Sequence, residues 1–258
     1  MSNPRLKKLL VLNILVITAI GVFLAIGSSH FLNVTDLPED NFTRMTITKR
    51  ISQVICDTSD PNDCEQESVI LMQASASGLV FKSTESRSYS LTAAHFCDPY
   101  NFPSFLFQEN ELETDLLISN LKGESVSGRI LYIDHEYDLC LVSSEVLDVE
   151  DISLSNSYPQ LGEKVYAIAD PKTLSDDGIS LHFEGSFSGC NDSDLCYFTL
   201  PATFGSSGSI ILNDRNEIIG MIQMVPRDFD SISLGIGVMS IRTFLRDASL
   251  ELDVDLLD

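Results

Sequence analysis

Three short segments hold residue types that could together break an acyl bond. Leu91-Thr92-Ala93-Ala94-His95 ends on an imidazole, Tyr137-Asp138-Leu139-Cys140-Leu141-Val142 carries a carboxylate, and Gly205-Ser206-Ser207-Gly208-Ser209 sets serines among glycines. A serine hydroxyl is a weak nucleophile at its free pKa and needs a base to take its proton. The imidazole needs a carboxylate that holds one tautomer and stabilises the charge it acquires. A glycine-flanked serine on a tight turn lets backbone N–H groups face a developing oxyanion. Each segment alone is common; in the order His95, Asp138, Ser207 they point to acyl transfer. Two competitors are weaker. Asp134 stands next to His135, but neighbours on a turn rarely face one another, and Ser206 competes with Ser207 for the nucleophile's place.

Short strands punctuated by turn residues must position these groups. A first set is expected at 69–72, 78–82, 89–93, 127–133 and 139–142, and a second at 164–169, 180–187, 196–200, 209–212, 218–224 and 233–239. Each chemical segment abuts one of them. The weakly periodic stretch 143–160 reads as a linker between the sets. Ile241, Phe244, Leu245 and Ala248 recur at helical spacing, so a helix is expected over about 241–250. Two sets of about six strands imply paired barrels or a sandwich.

Composition sets the class and the compartment. The 258 residues carry 16 Lys+Arg against 38 Asp+Glu, a formal net charge of −22, which repels phosphate backbones and excludes nucleic acid as a partner. A hydrophobic fraction of 44% excludes disorder. Residues 9–27 open with the apolar run LLVLNILVITAIGVFLAI, about 27 Å long as a helix at ~1.5 Å per residue, enough to cross a bilayer. Arg5, Lys7 and Lys8 in the stub 1–8 would hold that end in the cytoplasm. A retained signal anchor is expected, with a cleaved signal peptide as the alternative. Either places the domain outside the cytoplasm, in the periplasm, a lumen or the cell exterior. Residues 28–50 read as a tether and 51–258 as the domain. Asn33, Asn41 and Asn191 head glycosylation sequons.

Six cysteines suit an oxidising compartment and allow fifteen connectivities. Proximity pairs Cys56 with Cys64 and Cys190 with Cys196, leaving Cys97 and Cys140 as a long-range pair. No C-x-x-C pair and no histidine at ligand spacing speaks for zinc, so no metal and no cofactor is expected.

The three chemical segments resemble those of the trypsin-like serine proteases of the chymotrypsin fold, over residues 68–248 or so. Thr92–His95 matches the family's T-A-A-H, Asp138–Val142 its D-[IL]-A-L-[LV] strand and Gly205–Ser209 its G-[DN]-S-G-[GS] loop. The resemblance implies His95 as general base, Asp138 as its orienting carboxylate and Ser207 as nucleophile, with the amides of Gly205 and Ser207 as the oxyanion hole. It implies an all-β fold of two six-stranded antiparallel barrels, at about 68–143 and 161–240, followed by the C-terminal helix. Leu161-Gly162-Glu163-Lys164-Val165-Tyr166-Ala167-Ile168 and Leu234-Gly235-Ile236-Gly237-Val238 are similar to strands of the HtrA-like branch, here without that branch's PDZ domain. Ser206 stands where zymogen-activated members have Asp, and Phe96 separates His95 from Cys97 where many secreted members have Cys next to His.

By alignment to the nucleophile loop, Pro201 and Ala202 would form the base of the primary pocket, with no Asp there to hold a basic side chain. Gln223, Met224 and Val225 would pair with substrate backbone, and Val225 would narrow the pocket entrance. The expected activity is a membrane-tethered endopeptidase that forms an acyl-enzyme and cleaves polypeptides after small aliphatic residues. The alternative is a catalytically silent protease-like protein that binds peptides.

Overall fold

The structure, a computed structural model, describes residues 37–56, 64–98, 112–171, 181–229 and 231–257, excluding the side chains of residues 52–56, 64–67 and 112. The anchor expected at 9–27 and the first part of the tether lie outside the described residues. Among those described, no helix is long and apolar enough to cross a membrane.

Twelve strands close into two antiparallel six-stranded barrels. The first contains β1 (Phe42–Cys56), β2 (Cys64–Ser83), β3 (Ser88–Ala93), β4 (Leu112–Ser119), β5 (Ser125–Asp134) and β6 (Leu139–Ser144), ordered β1-β2-β3-β6-β5-β4. The second contains β7 (Lys164–Ala169), β8 (Leu181–Cys190), β9 (Leu195–Phe198), β10 (Ile210–Leu212), β11 (Ile218–Met224) and β12 (Ser233–Gly237), ordered β10-β11-β12-β9-β8-β7. Closure removes the exposed edges that an open sheet of this length would present.

The first barrel begins earlier than the residue pattern suggests. Residues 42–50, expected in the tether, form the first half of β1 and pair with both β2 and β4. Phe42, Met45, Ile47 and Ile51 are buried, but Thr43, Arg44, Thr46, Thr48, Lys49 and Arg50 between them make the segment read as polar. The threonines are strand formers, and that preference is the signal that could have placed β1. Asn41 is not a glycan acceptor in the folded chain: its buried side-chain amide donates to Val80 O at 2.8 Å and Glu150 O at 2.7 Å. Strand β4 also escapes the residue pattern, and the segments expected at 69–72 and 78–82 are one strand, β2.

Three apolar clusters hold the molecule together. Met45, Ile47, Leu116, Ile118 and Val142 belong to the cluster that fills the first barrel, and Val165, Ala167, Phe198, Leu200 and Ile211 to that of the second. The third lies between them, joining Leu79, Leu91 and Leu139 to Ile210, Leu212 and Met221. Onto it packs a C-terminal helix (Val238–Leu252), three residues longer at its start than expected, through Ile241, Phe244, Leu245 and Ala248. Asp253 ends this helix in the left-handed region at φ 54°, where its neighbour Val254 donates back to Ser249 O.

Disulfides link Cys97 to Cys140 and Cys190 to Cys196. The ladder sets Cys56 opposite Cys64, and their side chains are outside those described.

Candidate active site

His95 lies on a single helical turn, α1 (Ala94–Cys97), at the end of β3. Such a turn leaves its first amides unsatisfied, and no side chain of its own segment caps them. Asp138, in the turn before β6, does so from beside the strand that pairs with β3. Its carbonyl accepts from Ala94 N at 3.1 Å, and its Oδ1 accepts from His95 N at 2.8 Å. Its other oxygen, Oδ2, lies 2.8 Å from Nδ1 of the His95 ring. Asp138 sits at φ 53°, a left-handed conformation that aspartate tolerates better than most residues. The Cys97–Cys140 bond ties the far end of α1 to the strand that follows Asp138.

Ser207 stands on the loop before β10. Gly205 at φ 92° and Gly208 at φ 84° bracket it in conformations that side chains rarely adopt. A Cβ on Gly208 would collide with Ser77 O and Thr92 Oγ1 and would come within 3.1 Å of Ala93 N. The Ser207 loop therefore presses against the last residues of β3, immediately before His95. Ser206, by contrast, is buried, and its Oγ accepts from Thr203 N at 3.2 Å, so its hydroxyl faces away from solvent.

The backbone of this loop is sorted into satisfied and open amides. Ser206 N donates to Thr203 O, Gly208 N to Ile222 O and Ser209 N to Ser206 O. Among the described residues, the amides of Gly205 and Ser207 donate to no backbone carbonyl. They are the two amides that the sequence reading expects to meet an oxyanion.

Of the residues expected to meet substrate, Pro201 is exposed, whereas Ala202 is buried within the second barrel's cluster. Val225, partly buried, packs against that same cluster. Met224 closes β11 with half its surface exposed. Gln223 is the extra residue of a bulge between Ile222 and Met224, and the bulge turns its side chain toward the first barrel. There its amide donates to the carbonyls of Tyr137 and Asp138. That strut between barrels is not legible in the residue pattern. Asp134 accepts from the amides of Glu136 and Tyr137, closing the turn, while His135 is exposed and lies 3.8 Å from Asp98.

The model of the trypsin-like peptidase domain family matches residues 76–221, a span that contains His95, Asp138 and Ser207. Among solved structures, the fold is similar to the serine endoprotease from Yersinia pestis, at 15% identity and a TM-score of 0.57, over 83% of this chain and 64% of that one. It is also similar to Rv3671c from M. tuberculosis H37Rv, a serine-to-alanine mutant in an inactive form, at 10% identity and a TM-score of 0.55, over 83% and 88% of the two chains. The chain thus spans just under two thirds of the Yersinia protein's length. No curated protein sequence matches the chain.

Proposed function

The chain belongs to the trypsin-like peptidase domain family, and from that premise we propose that it is a serine endopeptidase with His95, Asp138 and Ser207 as its catalytic residues. The observation that carries this reading is the use Asp138 makes of its two oxygens. One fixes the backbone of His95 and the other its ring at Nδ1. A proton held at Nδ1 leaves Nε2 with a lone pair for the Ser207 hydroxyl. His95 takes the Ser207 proton as Oγ attacks the scissile carbonyl, and the Gly205 and Ser207 amides receive the oxyanion. His95 then protonates the leaving amine, and water reverses the sequence to release the acyl group.

The substrates we infer are polypeptides cut after Ala, Val or similar side chains. Val225 and Ala202 share one apolar cluster, which supports a shallow pocket with nothing to pair an incoming charge. The apolar run at 9–26, led by Arg5, Lys7 and Lys8, supports a membrane tether, and the two disulfides support an extracytoplasmic domain.

Reaction of the full-length chain with a fluorophosphonate probe tests the proposal. Labelling should be stoichiometric in the native chain and absent in Ser207→Ala. If the folded chain stays unlabelled, the endopeptidase reading falls.

A further inference from the structure

Ser77 lies on β2 in the first barrel, fully buried and far in sequence from Ser207 and its loop. Nothing in its surroundings along the chain marks it. Yet it contacts both sides of the site. Its N–H donates to Ser207 O at 3.0 Å, and its carbonyl accepts from the Thr92 hydroxyl at 2.8 Å, three residues before His95. Its own hydroxyl donates to Gly205 O at 2.9 Å and accepts from Asp170 N at 3.0 Å.

We propose that Ser77 is a positioning residue that locks the oxyanion-hole loop onto the first barrel. The inference rests on the serine endopeptidase reading and adds to it the device that presets the loop. A hydroxyl has one proton to give. With Asp170 N–H occupying its acceptor side, the Ser77 proton goes to Gly205 O. Asp170 is itself held from another strand, since its buried carboxylate pairs with Arg44 on β1 at 2.6 Å. The reference point is therefore rigid.

The consequence for the loop follows from backbone geometry. Each peptide unit is planar, so fixing a carbonyl fixes the N–H that follows it. Ser77 Oγ pins the carbonyl of Gly205, and the next amide, of Ser206, is turned to Thr203 O. Ser77 N pins the carbonyl of Ser207, and the next amide, of Gly208, is turned to Ile222 O. The peptide units on either side of the Ser207 amide are thereby set, and Ser209 N, which donates to Ser206 O, sets the unit between them. Gly205, at φ 92°, has no side chain to resist rotation, and the Ser77 hydroxyl adds a restraint from the first barrel to the Ser206 N–Thr203 O bond within the loop. Preorganised donors stabilise an oxyanion because they need not reorient during the reaction.

The test separates a positioning role from a purely structural one. Native chain that labels with the fluorophosphonate and hydrolyses peptide, with Ser207→Ala doing neither, first establishes the endopeptidase. If the native chain does neither, that reading fails, and this inference with it. Given an active chain, Ser77→Ala deletes only the hydroxyl and keeps both backbone bonds. We expect kcat per titrated site to fall about 10–100-fold, below the cost of losing a whole oxyanion donor. KM should stay within about threefold, as when an interaction is lost in the transition state alone. Affinity for a peptide boronate, whose tetrahedral adduct places an oxygen in the hole, should fall in proportion to kcat. Should Ser77→Ala not fold, Ser77→Cys gives the same readout with a near-isosteric side chain that is a weak hydrogen-bond donor. A kcat per site within twofold of native, or boronate affinity unchanged while kcat falls, would overturn the proposal.

Discussion

Asp138, on a left-handed backbone, makes three hydrogen bonds to α1, while its carbonyl also accepts from Gln223. An amide in place of the carboxylate would keep the shape and reverse the chemistry. In Asp138→Asn the side-chain oxygen could still accept from the His95 backbone, but the new NH₂ would face Nδ1, which would have to become the acceptor. The imidazole proton would move to Nε2, where the base is needed. Asp138→Asn is therefore expected to reduce kcat about 10⁴-fold with little change in melting temperature. Turnover within tenfold of native would show that Asp138 does not set the tautomer. Gln223 belongs at this scale too. Its side chain reaches the Tyr137 and Asp138 carbonyls, so the strand expected to meet substrate also steadies the turn that carries the carboxylate.

At the scale of elements, α1 is too short to be stable alone, since nucleating one turn costs more than its few hydrogen bonds return. Two attachments hold it: Asp138 at its start and the Cys97–Cys140 disulfide at its end. Both sulfur-bearing residues are buried, in the cluster that fills the first barrel. With a sequence separation of 43, the bond restricts the unfolded chain by about 3–4 kcal/mol on a chain-entropy estimate. The double variant Cys97→Ala/Cys140→Ala should lose roughly that much in a urea titration. Its kcat should also fall more than its KM rises, because α1 carries His95. Unchanged kcat in a destabilised protein would mean that Asp138 alone is enough to place the histidine.

Across the whole molecule, two barrels meet along one apolar seam, and the candidate site lies where their loops cross it. His95 and Asp138 come from the first barrel, Ser207 and the two open amides from the second, and Ser77 joins the halves. The chain as a whole is strongly acidic, at −22. Such a field draws basic peptides in and speeds their encounter. It does not follow that they are cut at the basic residue, because the pocket proposed here is apolar. A peptide library digested by the full-length chain should yield cleavage after Ala and Val, with Arg and Lys disfavoured at the cleaved position. A dominant preference for Arg or Lys there would overturn the pocket built on Ala202 and Val225.

The strands of the second barrel were legible almost in full. Their short apolar runs are local, and turn residues bound each one. The segments bearing His95, Asp138 and Ser207 could be read for the same reason, since each is a short run of unusual residues beside a strand. Strands β1 and β4 were not legible. β1 mixes buried residues with threonine and basic side chains, and only closure of the barrel gives those residues partners. Asn41 looked like a surface sequon, yet folding buries its amide against two carbonyls from distant segments. Ser77, Asp170 and the strut made by Gln223 carry no local signal, because their importance lies in hydrogen bonds that span the chain. Sequence alone determined which chemistry the chain could hold and the short runs between turns that build most of its strands, both local properties of residue type and spacing. Tertiary structure decided how Asp138 addresses His95, which two amides stay open and what pins them, because those depend on groups that meet only when the two barrels close and pack.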